Sequence, residues 1–335
     1  MKRYWPVLLV LFFILATLSW DSFYFFMHPG PVKPSAPRIV RIVPGMSLLG
    51  IAHHLDQEEI IHDPYKFIFL AWAKGLGKKI QWGDFELYAG MPPLLLLEYL
   101  STGKNMIRRI TIPEGFTLQQ IAHRLEEEKL VEEKSFLALA RNQKWIAELN
   151  LEGPSLEGYL FPDTYIFHRG MSPEEIQKKM VQRFNQIMGS FPPPISPAGN
   201  LSTRELVTLA SIVEKESGLA SERPLIASVF YNRLKKGMPL QSDPTVIYGL
   251  DDFNGNLKKK DLLRPTGYNT YRITGLPPGP IANPGRDALQ AVLSPAHSDY
   301  LYFVSKNNGS HYFSKDLHDH NRAVALYQLS RKENR

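Results

Sequence analysis

The strongest candidate for chemistry in this chain is an acidic side chain at the end of an apolar helical stripe. Glu216 follows Leu209 by seven residues in a stretch that predicts one helix over residues 202–218, which places its side chain on the buried face. Loss of water and the negative end of the helix dipole both raise the pKa of a carboxyl group there. Such a group stays protonated near neutral pH and can act as a general acid. The alternative is a solvated residue or an ion-pair partner, which is common in a final helical turn.

The helix that positions Glu216 carries its own start and stop signals. Ser202 and Glu205 have the spacing of a capping box, and Gly218 is expected to end the helix in a left-handed conformation. On the same helical wheel, Glu214 points roughly opposite to Glu216. The pattern therefore predicts that one acid faces inward and one outward.

Two later segments, residues 239–249 and 266–285, are rich in amides, hydroxyls and aromatic rings. These groups bind sugars, because a sugar ring offers hydroxyls at its rim and C–H bonds on its faces. The candidate substrate ligands are Gln241, Asp243, Tyr268, Asn269 and Tyr271, together with Ser217 beside the acid. Asp243 is also expected to cap a short helix that starts at Pro244. The alternative for Asp243 and Asn269 is loop architecture, since both are common turn and cap residues.

The composition narrows the classes of function. The chain has 335 residues, 44% of them hydrophobic, which suffices for a core and for two or three domains. Its net charge is +6 with both signs mixed, which suits an anionic surface or polymer and not nucleic acid. The absence of cysteine excludes a thiol nucleophile and a cysteine-ligated metal. His318 and His320 lack a third placed ligand and are expected at the surface, so no metal and no cofactor are predicted.

Residues 1–27 predict a membrane anchor. The stretch from Trp5 to Met27 is apolar and has aromatic residues near both ends, and as a helix it can cross about 30 Å of hydrocarbon. Lys2 and Arg3 would stay cytoplasmic, which puts the remainder outside the inner membrane. A cleaved signal peptide is the alternative, although no clear cleavage site follows. Residues 28–37 are rich in proline and predict a semi-rigid spacer.

An internal duplication follows the spacer. Segments 43–55 and 112–125 match at positions that are 70 residues apart. Each copy has a β-branched run, a turn, a Ser or Thr N-cap and an amphipathic helix. Such strand–turn–helix units resemble LysM modules, which hold N-acetylated glycans. We therefore predict an α+β fold, with a duplicated LysM-like α/β region over residues 38–150 and a mixed α+β catalytic domain over residues 151–335.

Three motifs in the last third of the chain carry a specific resemblance. They are Val-Glu-Lys-Glu-Ser at 213–217, Leu-Gln-Ser-Asp-Pro-Thr-Val-Ile-Tyr-Gly at 240–249, and Tyr-Asn-Thr-Tyr at 268–271 with the Gly-Leu-Pro-Pro-Gly-Pro-Ile that follows. In their order and spacing the chain resembles the endolytic murein transglycosylases, the MltG or YceG-like family. The resemblance implies a single-pass enzyme of the cell inner membrane with a periplasmic catalytic domain. It would cut nascent peptidoglycan strands between MurNAc and GlcNAc and leave 1,6-anhydro-MurNAc ends.

The resemblance assigns the catalytic acid to Glu216, which would act first as acid and then as base. We expect Gln241 and Asn269 to orient N-acetyl groups, Tyr268 and Tyr271 to line sugar subsites, and Ser217 to position the acid. The implied partners are peptidoglycan strands and the inner membrane, with peptidoglycan synthases and the elongation or division machinery as candidates. Two alternatives stay open: a hydrolytic muramidase in which Asp243 or Glu222 acts on a water, and a non-catalytic peptidoglycan-binding scaffold that uses the repeats.

Overall fold

The computed structural model describes residues 36–104, 106–192 and 201–329, together with Phe12 and Tyr24. Apart from those two residues, the predicted anchor lies outside the described residues, as does most of the predicted spacer. None of the helices in the described part is long and apolar enough to cross a bilayer.

Contacts within the chain define two compact units. The first contains Met1–Ile110 and Tyr165–Met171, and the second contains Thr111–Thr164 and Ser172–Arg335. The sequence treats residues 38–150 as one duplicated region, whereas this division assigns the second copy of the repeat to the second unit. Contacts outside the repeat explain the assignment, since the Gly115 N–H donates a 2.9 Å hydrogen bond to the carbonyl of Asn283.

The first unit has two small sheets and, in its described part, three α-helices. Its elements are β1 (Arg38–Ile42), α1 (Leu48–Gln57), α2 (Pro64–Ala73), β2 (Gly83–Leu87), α3 (Pro93–Thr102), β3 (Ile107–Thr111) and β4 (Thr164–His168). Strands β1 and β2 are antiparallel, with Arg38 opposite Leu87, and β3 pairs with β4. Buried residues from the helices and strands, among them Phe67 and Phe85, form one apolar core. Strands β3 and β4 each have one terminal residue in the second unit.

The second unit is mostly helical. Its elements are α4 (Leu118–Glu127), α5 (Glu133–Ala140), α6 (Gln143–Glu148), α7 (Pro173–Gly189), α8 (Thr203–Glu216), α9 (Arg223–Lys235), α10 (Asp243–Tyr248), α11 (Arg286–Leu293), β5 (Tyr302–Ser305), β6 (His311–Ser314) and α12 (Leu317–Val324). Helices α8, α9 and α11 pack against one another, and β5 and β6 form an antiparallel hairpin. The predicted mixed α+β class is confirmed.

The strand–turn–helix pattern occurs at both copies of the sequence repeat. Strand β1 leads into α1, where the Ser47 hydroxyl accepts a hydrogen bond from the Gly50 N–H. Strand β3 leads into α4, where Thr117 and Gln120 form a capping box. The local elements are therefore as predicted, and the LysM-like character of the region stays a prediction.

Helix α8 begins as the sequence predicts. Ser202 and Glu205 form the expected capping box, and the eight consecutive residues from Leu206 to Val213 are all buried. The helix is thus enclosed by protein on every side along this stretch, whereas the sequence predicts an apolar stripe on one side. Because protein surrounds the helix, an acid near its end can be buried on either side of it.

The end of α8 differs from the prediction. The helix stops at Glu216, and Ser217 takes an extended backbone with φ −96° and ψ 118°. Gly218 has no positive φ, so the predicted left-handed terminator is wrong. A Cβ atom at position 218 would lie 3.0 Å from the carbonyl oxygen of Gly309. Close approach of the two backbones accounts for the glycine.

Candidate active site

The Glu216 carboxyl group lies at the end of α8 and receives a hydrogen bond from the start of α10. The hydroxyl of Ser242 donates to Oε1 of Glu216 over 2.5 Å. Burial, together with the negative charge of Asp243, raises the pKa of Glu216 to about 7, although the hydrogen bond from Ser242 and the positive charge of Arg233 both act to lower it. Near neutral pH this carboxyl group exists in both protonation states, as general acid and general base chemistry requires.

A cleft of about 230 Å³ surrounds this acid. The residues that line it are Glu216, Arg233, Leu240, Gln241, Asp243, Tyr271, Phe303 and His320. The structure therefore brings together Glu216, Gln241, Asp243 and Tyr271, four of the residues selected from the sequence. The lining is mainly polar, with aromatic rings among the polar groups, which suits a sugar more than an apolar ligand.

Two paired loops hold the polar side of the cleft. The Gln241 N–H donates to the Thr270 carbonyl over 3.1 Å, and the Ser242 N–H donates to Oγ1 of Thr270 over 2.9 Å. Gln241 has a φ of 51°, a left-handed conformation that is uncommon outside glycine. Backbone strain of this kind persists where the surroundings fix it and is frequent at functional sites.

Asp243 does not cap the helix that it begins. The N-cap of α10 is Ser242, and no side chain forms a cap hydrogen bond there, because the Ser242 hydroxyl is directed to Glu216. The predicted cap is therefore wrong. The carboxylate of Asp243 instead accepts a 2.7 Å hydrogen bond from the Tyr271 hydroxyl, which ties the two paired loops together inside the cleft.

Three of the predicted ligands lie outside the lining of the cleft. Ser217 accepts a 3.0 Å hydrogen bond from Nε of Arg223. The ring of Tyr268 packs against that of Tyr248, with centroids 4.8 Å apart.

Asn269 is the third of these residues and is fully buried. Its amide donates to the carbonyls of Leu262 and Arg264 over 3.0 and 2.7 Å. Its oxygen accepts from the Tyr271 N–H over 3.0 Å. These contacts are those of a loop-shaping residue, and they fix the backbone that carries Tyr271.

The position of Glu214 differs from the prediction that one acid faces inward and one outward. Its side chain is only 7% exposed, so the expected outward position is wrong. It accepts a 2.8 Å hydrogen bond from Nη2 of Arg223 and a 2.9 Å bond from the Gly285 N–H. Helix α11, which follows Gly285, packs on this side of α8 and encloses it. The two acids do diverge, one toward a buried arginine and the other toward the cleft.

Three polar residues of the site were not predicted from the sequence. Ser242 lies between two predicted ligands, so its segment was identified although the residue was not. Arg233 is buried and donates 2.7 Å hydrogen bonds to the carbonyls of Leu240 and Leu301. Only the tertiary structure shows that Arg233 lines the cleft. The residues next to it in the helix do not indicate a contact with the site.

His320 is the third missed residue. Its ring stacks on that of Tyr302 with centroids 5.2 Å apart, and its Nδ1 is buried and has no hydrogen-bond partner among the described residues. Burial and the charge of Arg233 lower its pKa, which favours the neutral imidazole. The surface position predicted for His318 is confirmed, whereas that for His320 is wrong, since His320 lines the cleft.

A second buried acid, Glu157, has a structural role. Its carboxylate accepts hydrogen bonds of 2.9 Å from the Leu118 N–H, 3.1 Å from the Tyr248 hydroxyl and 2.9 Å from Nδ2 of Asn283. Burial raises its pKa to about 7. It is absent from the lining of the cleft around Glu216. The network joins the start of α4 to the loop before α11.

Ligand atoms that could hold a metal ion meet at one place in the described part of the chain, away from the cleft. His123, Glu126 and Glu133 bring such atoms within 4.8 Å of one another. Nδ1 of His123 lies 3.2 Å from Oε2 of Glu133, and Oε1 of Glu126 accepts from the Glu133 N–H over 2.9 Å. These contacts explain the proximity of the three side chains, which form an exposed polar network.

The fold and the cleft define a mixed α+β protein with one acid of raised pKa in a polar, aromatic-lined site. Residues 40–326 match the sequence model of the YceG-like family, and the chain belongs to that family. The resemblance seen in the sequence motifs is thereby confirmed.

Curated relatives and a solved structure agree with this membership. The endolytic murein transglycosylase of Bacillus subtilis (strain 168) is 36% identical over 321 residues, which cover 90% of this chain and 89% of that protein. The endolytic murein transglycosylase of Streptococcus pneumoniae (strain D39) is 31% identical over 336 residues, and the match spans 60% of its length. The crystal structure of a yceG-like protein from Listeria monocytogenes superimposes with a TM-score of 0.58 at 33% identity, covering 86% of this chain and 99% of that chain.

Proposed function

We propose that this protein is an endolytic lytic transglycosylase of peptidoglycan that cleaves the MurNAc–GlcNAc bond and leaves 1,6-anhydro-MurNAc ends. The observation that carries the proposal is the Glu216 carboxyl group, whose pKa of about 7 arises in a polar cleft. The names of the curated relatives support the same reaction.

One carboxyl group suffices for this chemistry. Protonated Glu216 donates its proton to the bridging oxygen as the bond from C1 of MurNAc to that oxygen breaks, which releases GlcNAc with a free hydroxyl. The Glu216 carboxylate then accepts the proton of the C6 hydroxyl of the same MurNAc as O6 bonds to C1. The acid is thereby regenerated and no water is consumed. Hydrolytic glycosidases, in contrast, use two carboxyl groups.

The surroundings of Glu216 fit both steps. A pKa of about 7 leaves the group able to donate and then to accept a proton near neutral pH. The hydrogen bond from Ser242 fixes one carboxyl oxygen, so the other oxygen of the group is the one available to the sugar. Arg233 stabilises the carboxylate by its charge after the first proton has left.

Other cleft residues would hold the glycan. Gln241 orients an N-acetyl group and Tyr271 lines a sugar subsite, held there by its bond to Asp243. His320 offers an imidazole nitrogen to a sugar hydroxyl or acetamido group. Ser217 and Asn269 act from outside the cleft lining, Ser217 through Arg223 and Asn269 through the backbone of Tyr271. Tyr268 also lies outside the lining, where its ring packs on that of Tyr248.

The rest of the chain would bring this site to nascent glycan. Residues 1–27 anchor the protein in the inner membrane as a single span, and residues 28–37 form the spacer. Residues 38–150 hold glycan as a LysM-like region, and residues 151–335 form the periplasmic catalytic domain. Peptidoglycan synthases of the elongation or division machinery are the proposed protein partners, because they make the strands that this enzyme would cut.

Product analysis tests the proposed reaction. Purified peptidoglycan is incubated with the protein and with Glu216→Gln, and the soluble fragments are measured by mass spectrometry. We expect anhydro-muropeptides from the wild type and a loss of about 10²- to 10⁴-fold in Glu216→Gln, the range for removal of a general acid. Glu214→Gln is the matched control, since Glu214 lies on the same helix but contacts Arg223. It should retain activity per folded molecule. A fully active Glu216→Gln protein would exclude the mechanism.

Asp243 supports a second candidate, a hydrolytic muramidase. Its carboxylate lines the same cleft as Glu216 and could activate a water. Glu222 is less suited, because its carboxylate accepts hydrogen bonds from both the N–H and the ring of His311. The hydrolytic product is heavier than the anhydro product by one water, so the same mass spectra decide between the two. A non-catalytic scaffold would bind peptidoglycan and release neither product.

A further inference from the structure

An exposed aromatic face marks helix α2 of the first unit. The side chains of Tyr65, Phe69 and Trp72 are 70%, 52% and 75% exposed. Their spacing of four and three residues places them on one side of the helix. The other side, with Phe67 and Leu70, is buried in the core of the unit. Helix α2 is therefore apolar on both sides, unlike an ordinary surface helix with one polar side.

The exposed face continues onto helix α1. Leu49 is 50% exposed, and His53, one turn later, is exposed on the same side of α1. The rings of His53 and Tyr65 form a T-shaped pair with centroids 6.0 Å apart. We call the five residues Leu49, His53, Tyr65, Phe69 and Trp72 the aromatic patch. Single exposed apolar residues are ordinary, whereas a contiguous group of this kind marks a contact surface.

Positive charge lies next to the aromatic patch in the sequence. Lys74, Lys78 and Lys79 follow α2 directly and are exposed. Tyr and Trp with neighbouring lysines are the composition of protein surfaces at a membrane boundary, where rings enter the headgroup region and ammonium groups meet anionic phospholipids. A glycan, being neutral along its backbone, would make less use of the lysines.

The chain length before the first unit favours the membrane as the occupant. The proposed anchor ends at residue 27 and β1 begins at Arg38, so the ten residues between them span at most about 35 Å. A compact unit of roughly 80 residues has a radius of gyration of about 12 Å. The first unit would thus be held beside the bilayer at high effective concentration, where even a weak contact is occupied.

We infer that the aromatic patch docks the first unit on the outer face of the membrane from which the anchor emerges. This inference rests on the proposed anchor and is independent of the chemistry at Glu216. Docking would hold the first unit against the lipid surface, near which nascent strands are made.

The absence of cysteine in the chain allows a direct test by single-site labelling. An environment-sensitive fluorophore is attached at Ala73→Cys, an exposed α2 position four residues after Phe69 that leaves the patch and the lysines intact. The full chain is reconstituted in vesicles of phosphatidylethanolamine and phosphatidylglycerol. We expect blue-shifted emission and at least twofold stronger quenching by headgroup nitroxides than for a label at Glu98→Cys, which lies on α3 outside the patch. Adding Phe69→Ser and Trp72→Ser should reduce the quenching at position 73 to the level at position 98.

A label at Phe12→Cys separates failure of the docking from failure of the anchor. Deep quenching at position 12 with none at position 73 would retain the anchor and overturn the docking. Solvent-like signals at both positions would overturn both. A change at position 73 caused by added glycan strands but not by lipid would make the patch a glycan platform, and label self-quenching that grows with protein density would make it a self-association surface. Either result contradicts membrane docking. Release of fragments from soluble peptidoglycan, measured in parallel, tests the proposed activity separately.

Discussion

Ser242 donates a 2.5 Å hydrogen bond to Oε1 of Glu216, and its own backbone is fixed on both sides. Its N–H donates to Oγ1 of Thr270 over 2.9 Å, and its carbonyl accepts from Oγ1 of Thr245 over 2.6 Å. The serine is therefore held in place before any sugar binds. A fixed hydrogen bond to a catalytic carboxyl group sets its direction and shifts its pKa, so the pair offers the most direct tests of the site.

The pH dependence of activity should have an alkaline limb controlled by Glu216. The first step needs the protonated acid, whose pKa is about 7. We expect kcat/KM to fall with a limiting slope of about tenfold per pH unit above pH 7. Initial rates of fragment release between pH 5 and pH 9 measure this limb. A rate that stays constant up to pH 9 would contradict the assignment of Glu216 as the acid.

Replacing Ser242 should move that limb upward. Its hydrogen bond lowers the pKa of Glu216 by favouring the charged form, so Ser242→Ala should shift the limb to higher pH by up to about one unit and also reduce the maximal rate. Ser217→Ala is the matched control, because that hydroxyl contacts Arg223 and not the acid. Equal shifts in the two variants would mean that the Ser242 bond does not set the pKa.

Removing the charge of Asp243 should move the limb the other way. The negative charge of Asp243 raises the pKa of Glu216, so Asp243→Asn should shift the alkaline limb to lower pH. The asparagine oxygen can still accept the hydrogen bond from Tyr271. Tyr271→Phe removes that bond but leaves the charge in place and so serves as the control. If Tyr271→Phe lowers the limb as much as Asp243→Asn, loop geometry and not charge is responsible.

The buried acid should also make the stability of the folded protein depend on pH. The pKa of Glu216 is about 7 in the folded protein and 4.5 for an ordinary glutamate, so the folded state binds this proton more tightly. The stability gained from it is fully present below about pH 4.5 and is lost as the pH rises through about 7. Over that range, the stability of wild type relative to Glu216→Gln should fall by about 3 kcal/mol.

Urea unfolding of the two proteins at pH 5 and pH 8 measures this difference. Glu157 also has a raised pKa, but this residue is present in both proteins, so we expect its contribution to cancel in the comparison. Parallel changes in the two free energies of unfolding would show that Glu216 titrates alike in the folded and unfolded states.

His320 should contribute to glycan binding. His320→Phe keeps a ring to stack on Tyr302 and removes the nitrogens, so KM should rise roughly three- to tenfold, the value of one neutral hydrogen bond, with kcat within about twofold. His318→Phe on the same helix is the matched control, since His318 is exposed and outside the cleft lining. An unchanged KM in His320→Phe would reduce His320 to a packing role.

Local sequence signals predicted much of the fold. The capping box at Ser202 and the N-cap at Thr117 act between residues three positions apart, and the strand–turn–helix pattern repeats in the order that the sequence shows. Short-range hydrogen bonds and apolar periodicity determine such elements, so they can be recognised without knowing what packs against them. The same periodicity placed Glu216 toward the interior.

Long-range contacts decided the rest of the site. Ser242 reaches Glu216 across 26 residues, and Arg233 and His320 meet in the cleft although 87 positions separate them. Glu214 is buried because Arg223 and Gly285 come to it, which the helical wheel cannot show. The need for glycine at position 218 likewise depends on the distant backbone of Gly309. The sequence by itself selected Glu216 as the candidate acid, and only the tertiary structure decided which groups surround that acid, because desolvation and charge at a site depend on all the chain segments that meet there.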